Sequence, residues 1–259
     1  MGIVRRYIDG PSGQIHLAEA GRGPSVLLLH QTPRSWDEFR EVMIALEDRL
    51  HLIAMDLPGM GSSDQHPDGP SIESYAAAAA AVIEQSGRSP VSVCGHHTGG
   101  VVAVELAARY PHLVDRLVLS STPWIDGTER ARRAGKQPID TVEPRSDGSH
   151  LLGLWNQRAP FYGGSTDQLS RFVSDALRAE DPAAGHRAVG RYRMENAANR
   201  VRCPVTLVEH SADPFASPHT AVLQLHMNAS RVEVIQNGRV PLEATASAFA
   251  AALLSTVPA

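Results

Sequence analysis

The chain has 259 residues, 42% hydrophobic and 20% charged, with a formal net charge of −4. That length carries one core, or a core with an inserted subdomain. The slight acidity excludes the basic footprint of a nucleic-acid binder and the polybasic patch of a membrane-surface protein.

In chain order, VRRYIDG and QIHLAEA flank PSG and predict a hairpin. SVLLLH (25–30) is nearly unbroken apolar, as a strand buried on both faces should be. WDEFREVMIALEDRL follows at helical spacing, and HLIAMD (51–56) is a second buried strand leading into the turn-rich LPGMGSSD. SIESYAAAAAAVIEQSG combines a Ser-x-x-Ser start, alanine-rich propensity and a closing glycine, which predicts a helix. PVSVCG (90–95) is a third strand, GGVVAVELAARYP (99–111) a helix stopped by proline, and RLVLSS (116–121) a fourth strand.

Strict alternation of strand and helix argues for a mainly parallel sheet with helices on both faces. From Thr122 to Arg202 the rhythm breaks into a stretch that reads as helices and loops. PVTLVE, RVEVIQ and PLEATASAFAAALLSTV then restore it. The expected organisation is an α/β core over 1–121 and 203–259, interrupted by a small helical cap over 122–202. No apolar run is long enough to span a bilayer, and the opening MGIVRRYIDG lacks a secretion signal's apolar segment. Cys94 and Cys203 lie in apolar runs, which suits reduced thiols and a cytoplasmic protein.

In such sheets ligands sit beyond the carboxyl ends of the strands. The residues expected there are His30-Gln31-Thr32-Pro33, Asp56, His96-His97-Thr98, Ser121-Thr122, Asp213 and Arg239. Gly95-His96-His97-Thr98-Gly99-Gly100 stands between a strand and a helix. It fills the Gly-x-Ser-x-Gly turn with histidine in the centre. So sharp a turn needs neighbours without side chains and pushes its central residue to positive φ, which histidine tolerates better than most.

These segments, with LLLHQTPRSWDEF, AMDLPGMGSSD, CPVTLVEHSADPF and NGRVPLEATASAF in the same order, make the chain resemble the α/β-hydrolase fold superfamily over essentially its whole length. The resemblance implies a small-molecule substrate and no cofactor, and no metal is expected, because adjacent His96 and His97 do not easily aim at one ion and no metal-ligand spacing accompanies them. The resemblance puts the acid at Asp213 and an oxyanion hole at the backbone N–H groups of Thr98 and Gln31. The sequence departs from the pattern at two triad positions, with His97 for serine and Arg239 for histidine. Arginine does not take up a proton near neutral pH, so serine acyl transfer as usually written is excluded.

The functional reading makes His97 an acid/base or a nucleophile. Arg239 is then an anion clamp or the ion-pair partner of Asp213. His30 and His96 are read as supporting groups with structural hydrogen bonds. Trp124, with Trp155, Phe161 and Tyr162, lines a pocket under the cap or simply packs. The activity expected is on an ester, lactone or ketone-like carbonyl by hydrolase, lyase, isomerase or cyclase chemistry. The alternatives are a catalytically silent ligand binder and a scaffold of the same fold. No nucleic-acid or membrane partner is expected, and a homodimer is left open.

Overall fold

The computed structural model describes residues 2–136, 139–227, 229–239 and 241–257. Its centre is an eight-stranded sheet: β1 (Val4–Gly10), β2 (Gly13–Ala20), β3 (Ser25–Leu29), β4 (His51–Met55), β5 (Val91–His96), β6 (Val114–Ser120), β7 (Val205–His210) and β8 (Ala229–Ile235). The spatial order is β1-β2-β4-β3-β5-β6-β7-β8. The hairpin β1–β2 joins antiparallel to β4, and every pairing from β4 to β8 is parallel.

The unbroken apolar runs are explained by burial on two faces. Leu27 and Leu29 of β3 face one core, Val26 and Leu28 the other. The first core is covered by α2 (Ile72–Ser86) and α3 (Thr98–Arg109), the second by α1 (Arg40–Leu46) and, from the C-terminal end, the helix Ala246–Thr256. Ser71 caps α2 through a reciprocal pair with Ser74, and Gly87 closes it at φ +65. The helix expected over residues 36–50 begins as a 3-10 turn at Trp36–Phe39 and is α-helical only to Leu46. One helix escaped the pattern reading, because TAVLQLH is only two turns long.

Between β6 and β7 the described chain contains helices and no strand: α4 (Gly127–Arg133), α5 (Ser149–Arg158), α6 (Thr166–Arg178), α7 (Ala184–Arg191) and α8 (Met194–Ala198). These do not behave as one unit. Leu154, Tyr162, Leu169, Phe172 and Ala176 form a small core of their own around α5 and α6. Ala188, Val189, Met194 and Ala197, from α7 and α8, instead join the main core over α3. The last two helices are α9 (Thr220–His226) and α10 (Ala246–Thr256).

Candidate active site

A tight turn joins β5 to α3. His97 stands in it at φ +45 and ψ −110, a conformation that costs about 1–3 kcal/mol and is held by its surroundings. The flanking glycines are sterically required. A Cβ on Gly95 would lie 2.2 Å from the Gly99 carbonyl oxygen, and one on Gly99 would lie 1.9 Å from the Leu29 carbonyl oxygen. The turn therefore presses against the end of β3. Thr98 and Gly99, at the start of α3, offer N–H groups with no acceptor inside the helix, at its positive end.

Asp213 follows β7 by three residues. Its backbone N–H donates to the His210 carbonyl (2.9 Å), and Oδ1 accepts from the Phe215 N–H (2.9 Å). Its other oxygen, Oδ2, lies 2.8 Å from His97 Nε2. The two atoms are within hydrogen-bonding distance, although the oxygen is out of line with the ring N–H. The Asp213 side chain is fully buried and that of His97 is 13% exposed. Burial alone would raise the Asp213 carboxyl. The His97 contact, the Phe215 N–H and the nearby His96 outweigh it and hold the group well below the usual carboxylate range. His97 Nε2 is buried against this carboxylate, whereas Nδ1 has no protein partner among the described residues.

The ion pair expected between Arg239 and Asp213 is not formed. Arg239 is exposed, and its guanidinium lies near Gly163 in the helical insertion. The reason is competition, because the His97 ring already occupies the inward face of the carboxylate.

Behind His97 runs a buried polar chain. His96 Nδ1 is 2.9 Å from Ser120 Oγ, which is 3.3 Å from His210 Nε2. The His96 ring stands edge-on to His97 at 4.6 Å. His210 was missed by the sequence reading, which ended the strand one residue early. Burial, and next the neighbouring His97, push its pKa down to about 4, so it is a neutral packing group near pH 7. Gly238 fits beside it for lack of a Cβ, which would lie 3.0 Å from His210 Nδ1.

The loop after β3 corrects a second expectation. The Gln31 N–H, assigned to an oxyanion hole, donates instead to Glu38 Oε2 (2.8 Å), and the Gln31 side-chain amide donates to Oε1 (2.5 Å). Glu38 is fully buried, and that burial pushes its pKa up to about 8 despite the neighbouring Arg34. His30 is structural: Nε2 accepts from the Leu57 N–H (3.0 Å) and Nδ1 donates to the Gln31 carbonyl (2.8 Å). Arg34, unremarked in the sequence, is fully buried. It pairs with Asp175 of α6 (2.9 Å) and with Glu243 (2.5 Å), tying the insertion to the core. Nothing in a lone arginine among polar neighbours announces such burial. Trp124 also serves packing, since it stacks on His226 at 4.6 Å and its indole N–H donates to Asp126. None of the four principal clefts is lined by His97.

Comparison with known proteins agrees with the fold. The family described as alpha/beta hydrolase fold matches residues 24–143. The 2-(acetamidomethylene)succinate hydrolase of Mesorhizobium japonicum is 32% identical, covering 54% of this chain and 53% of the relative. A soluble epoxide hydrolase of Corynebacterium sp. is 36% identical, covering 62% and 51%. The chain thus spans about half the length of these curated relatives. An epoxide hydrolase structure from Vigna radiata superposes with a TM-score of 0.80 at 18% identity, over 98% of this chain and 97% of that one.

Proposed function

From a chain with the α/β-hydrolase fold, we propose an enzyme that hydrolyses a small carbonyl compound, an ester or lactone, without a serine nucleophile. The observation that carries the reading is the 2.8 Å contact between His97 Nε2 and the buried Asp213 carboxylate. The ionised carboxylate favours the tautomer with hydrogen on Nε2 and leaves the Nδ1 lone pair outward. In the proposed step Nδ1 takes a proton from a water molecule whose oxygen attacks the carbonyl carbon. The same proton then passes to the departing alkoxide, so ester and water become acid and alcohol. The first N–H groups of α3 polarise the carbonyl oxygen. The hydrolase names of the relatives support this reaction class.

The test is turnover on a panel of short-chain esters and lactones. A positioned acid/base contributes about 10²–10⁴-fold, so His97→Ala should lose that much and Asp213→Asn part of it. The double variant should be no worse than His97→Ala, because the two side chains act as one unit. A His97→Ala protein with full turnover removes His97 from the mechanism. A soluble, folded wild type that turns over nothing on the panel, yet binds the same compounds, favours the silent binder of the same fold.

A further inference from the structure

The largest of the principal clefts lies in the helical insertion, between α4 with its following turn and α7. Its volume is about 470 Å³, within the range that holds small ligands. Five cations line it, Arg130, Arg133, Lys136, Arg187 and Arg191, and no acid does, in a chain whose net charge is −4. Three of the five are neutralised from behind. Arg130 grips Glu195 through both terminal nitrogens (2.9 and 2.6 Å), Arg133 bonds Glu129 (2.6 Å), and Arg187 pairs with Asp181. Lys136 and Arg191 have no carboxylate partner among the described residues. Two positive charges are therefore left facing the cleft.

Apart from His186, whose Nε2 lies 3.0 Å from Asp140 Oδ2, the rest of the wall is small or apolar. Ala134, Ala183 and the half-exposed Ile139 line it. A merely solvated basic face does not need an apolar wall, and a purely hydrophobic groove does not collect five cations. The cleft is also braced, because Arg130 donates to the Tyr192 carbonyl (3.1 Å) as well as to Glu195, fixing α4 against the chain that follows α7.

We propose that this cleft is a binding site for a small amphipathic anion. A carboxylate or phosphate sits between Lys136 and Arg191, and an apolar chain or ring lies along Ala134 and Ile139. The site does not involve His97 or Asp213, so it stands or falls separately from the hydrolase reading.

Hexyl phosphate, hexanoate, hexanol and inorganic phosphate are titrated into the whole protein by calorimetry, at low and at physiological salt. Hexyl phosphate or hexanoate should bind saturably at one site per chain, tighter than hexanol and tighter than inorganic phosphate. The stronger of the two anions identifies the headgroup. Added salt should weaken binding, as for any partly exposed ion pair. Charge reversal in Lys136→Glu/Arg191→Glu should weaken it at least about tenfold, because two attractive contacts become repulsive. If that variant loses its melting transition, Lys136→Ala and Arg191→Ala replace it, each with a smaller loss expected. The proposal is overturned if neither hexyl anion binds saturably. It is equally overturned if inorganic phosphate or hexanol binds as tightly as the hexyl anions, or if the folded variants bind like wild type.

Discussion

Replacing Arg34 by alanine should be the most costly charge deletion in this protein, although Arg34 is not assigned a role in the chemistry. Its guanidinium is 0% exposed, 2.9 Å from Asp175 and 2.5 Å from Glu243, whose own side chains are 7% and 0% exposed. Removing it strands two buried carboxylates. Breaking one buried pair costs about 3–5 kcal/mol. The two contacts share one guanidinium, so their losses overlap rather than add. At about 2–4 °C per kcal/mol for a domain of this size, the melting temperature should fall by roughly 6–20 °C. Arg34→Lys should recover little, because one ammonium does not span both carboxylates as the planar fork does. Arg239→Ala supplies the contrast. Arg239 is exposed, and its loss should stay within about 0.5 kcal/mol. Thermal melts and urea titrations at pH 7 measure both. An Arg34→Ala protein that melts within about 2 °C of wild type would refute the reasoning, since so small a shift amounts to no more than about 1 kcal/mol. An Arg239→Ala protein that falls as far as Arg34→Ala would point back to an ion pair at Asp213.

Three further outcomes are expected. Gly99→Ala drives a methyl against the Leu29 backbone, 1.9 Å from its oxygen, and should cost about 1–3 kcal/mol in denaturant melts while displacing His97; a stable, active Gly99→Ala protein would mean that the turn relaxes freely. Glu38, raised from 4.5 to about 8, binds its proton more tightly folded than unfolded, so its contribution to stability is complete below pH 4.5 and is lost as pH rises through 8. His210, lowered from 6.5 to about 4, acts in the opposite sense, losing stability as pH falls from 6.5 toward 4. Between pH 6.5 and 8 the Glu38 effect stands alone, and Glu38→Gln should flatten the decline in melting temperature there; an unchanged decline assigns it to another group. A fluorophosphonate probe should leave residue 97 unlabelled, and rapid stoichiometric labelling of Ser121 or Ser62, read by peptide mass spectrometry, would move the nucleophile to that serine.

The sheet was legible in the sequence because its signal is local. A strand buried on both faces must be apolar along its whole length, and SVLLLH, HLIAMD, PVSVCG and PVTLVE each carry that necessity within six residues. The turn at His97 was equally legible, since steric demand writes glycine directly into the chain at 95, 99 and 100. Asp213 and His97 could be named one by one, each at the end of its own strand. Their contact could not, because it joins residues 116 positions apart whose pairing depends on which side chain reaches the carboxylate first. The sequence offered Arg239 as that partner and Gln31 as an oxyanion donor. Tertiary structure gave the carboxylate to His97, left Arg239 in solvent and committed the Gln31 N–H to Glu38. Arg34, which closes the insertion onto the core through Asp175 and Glu243, carries no local signal at all. Whether a charge is buried and paired is decided by groups 141 and 209 residues away along the chain, and only the folded packing brings them within reach.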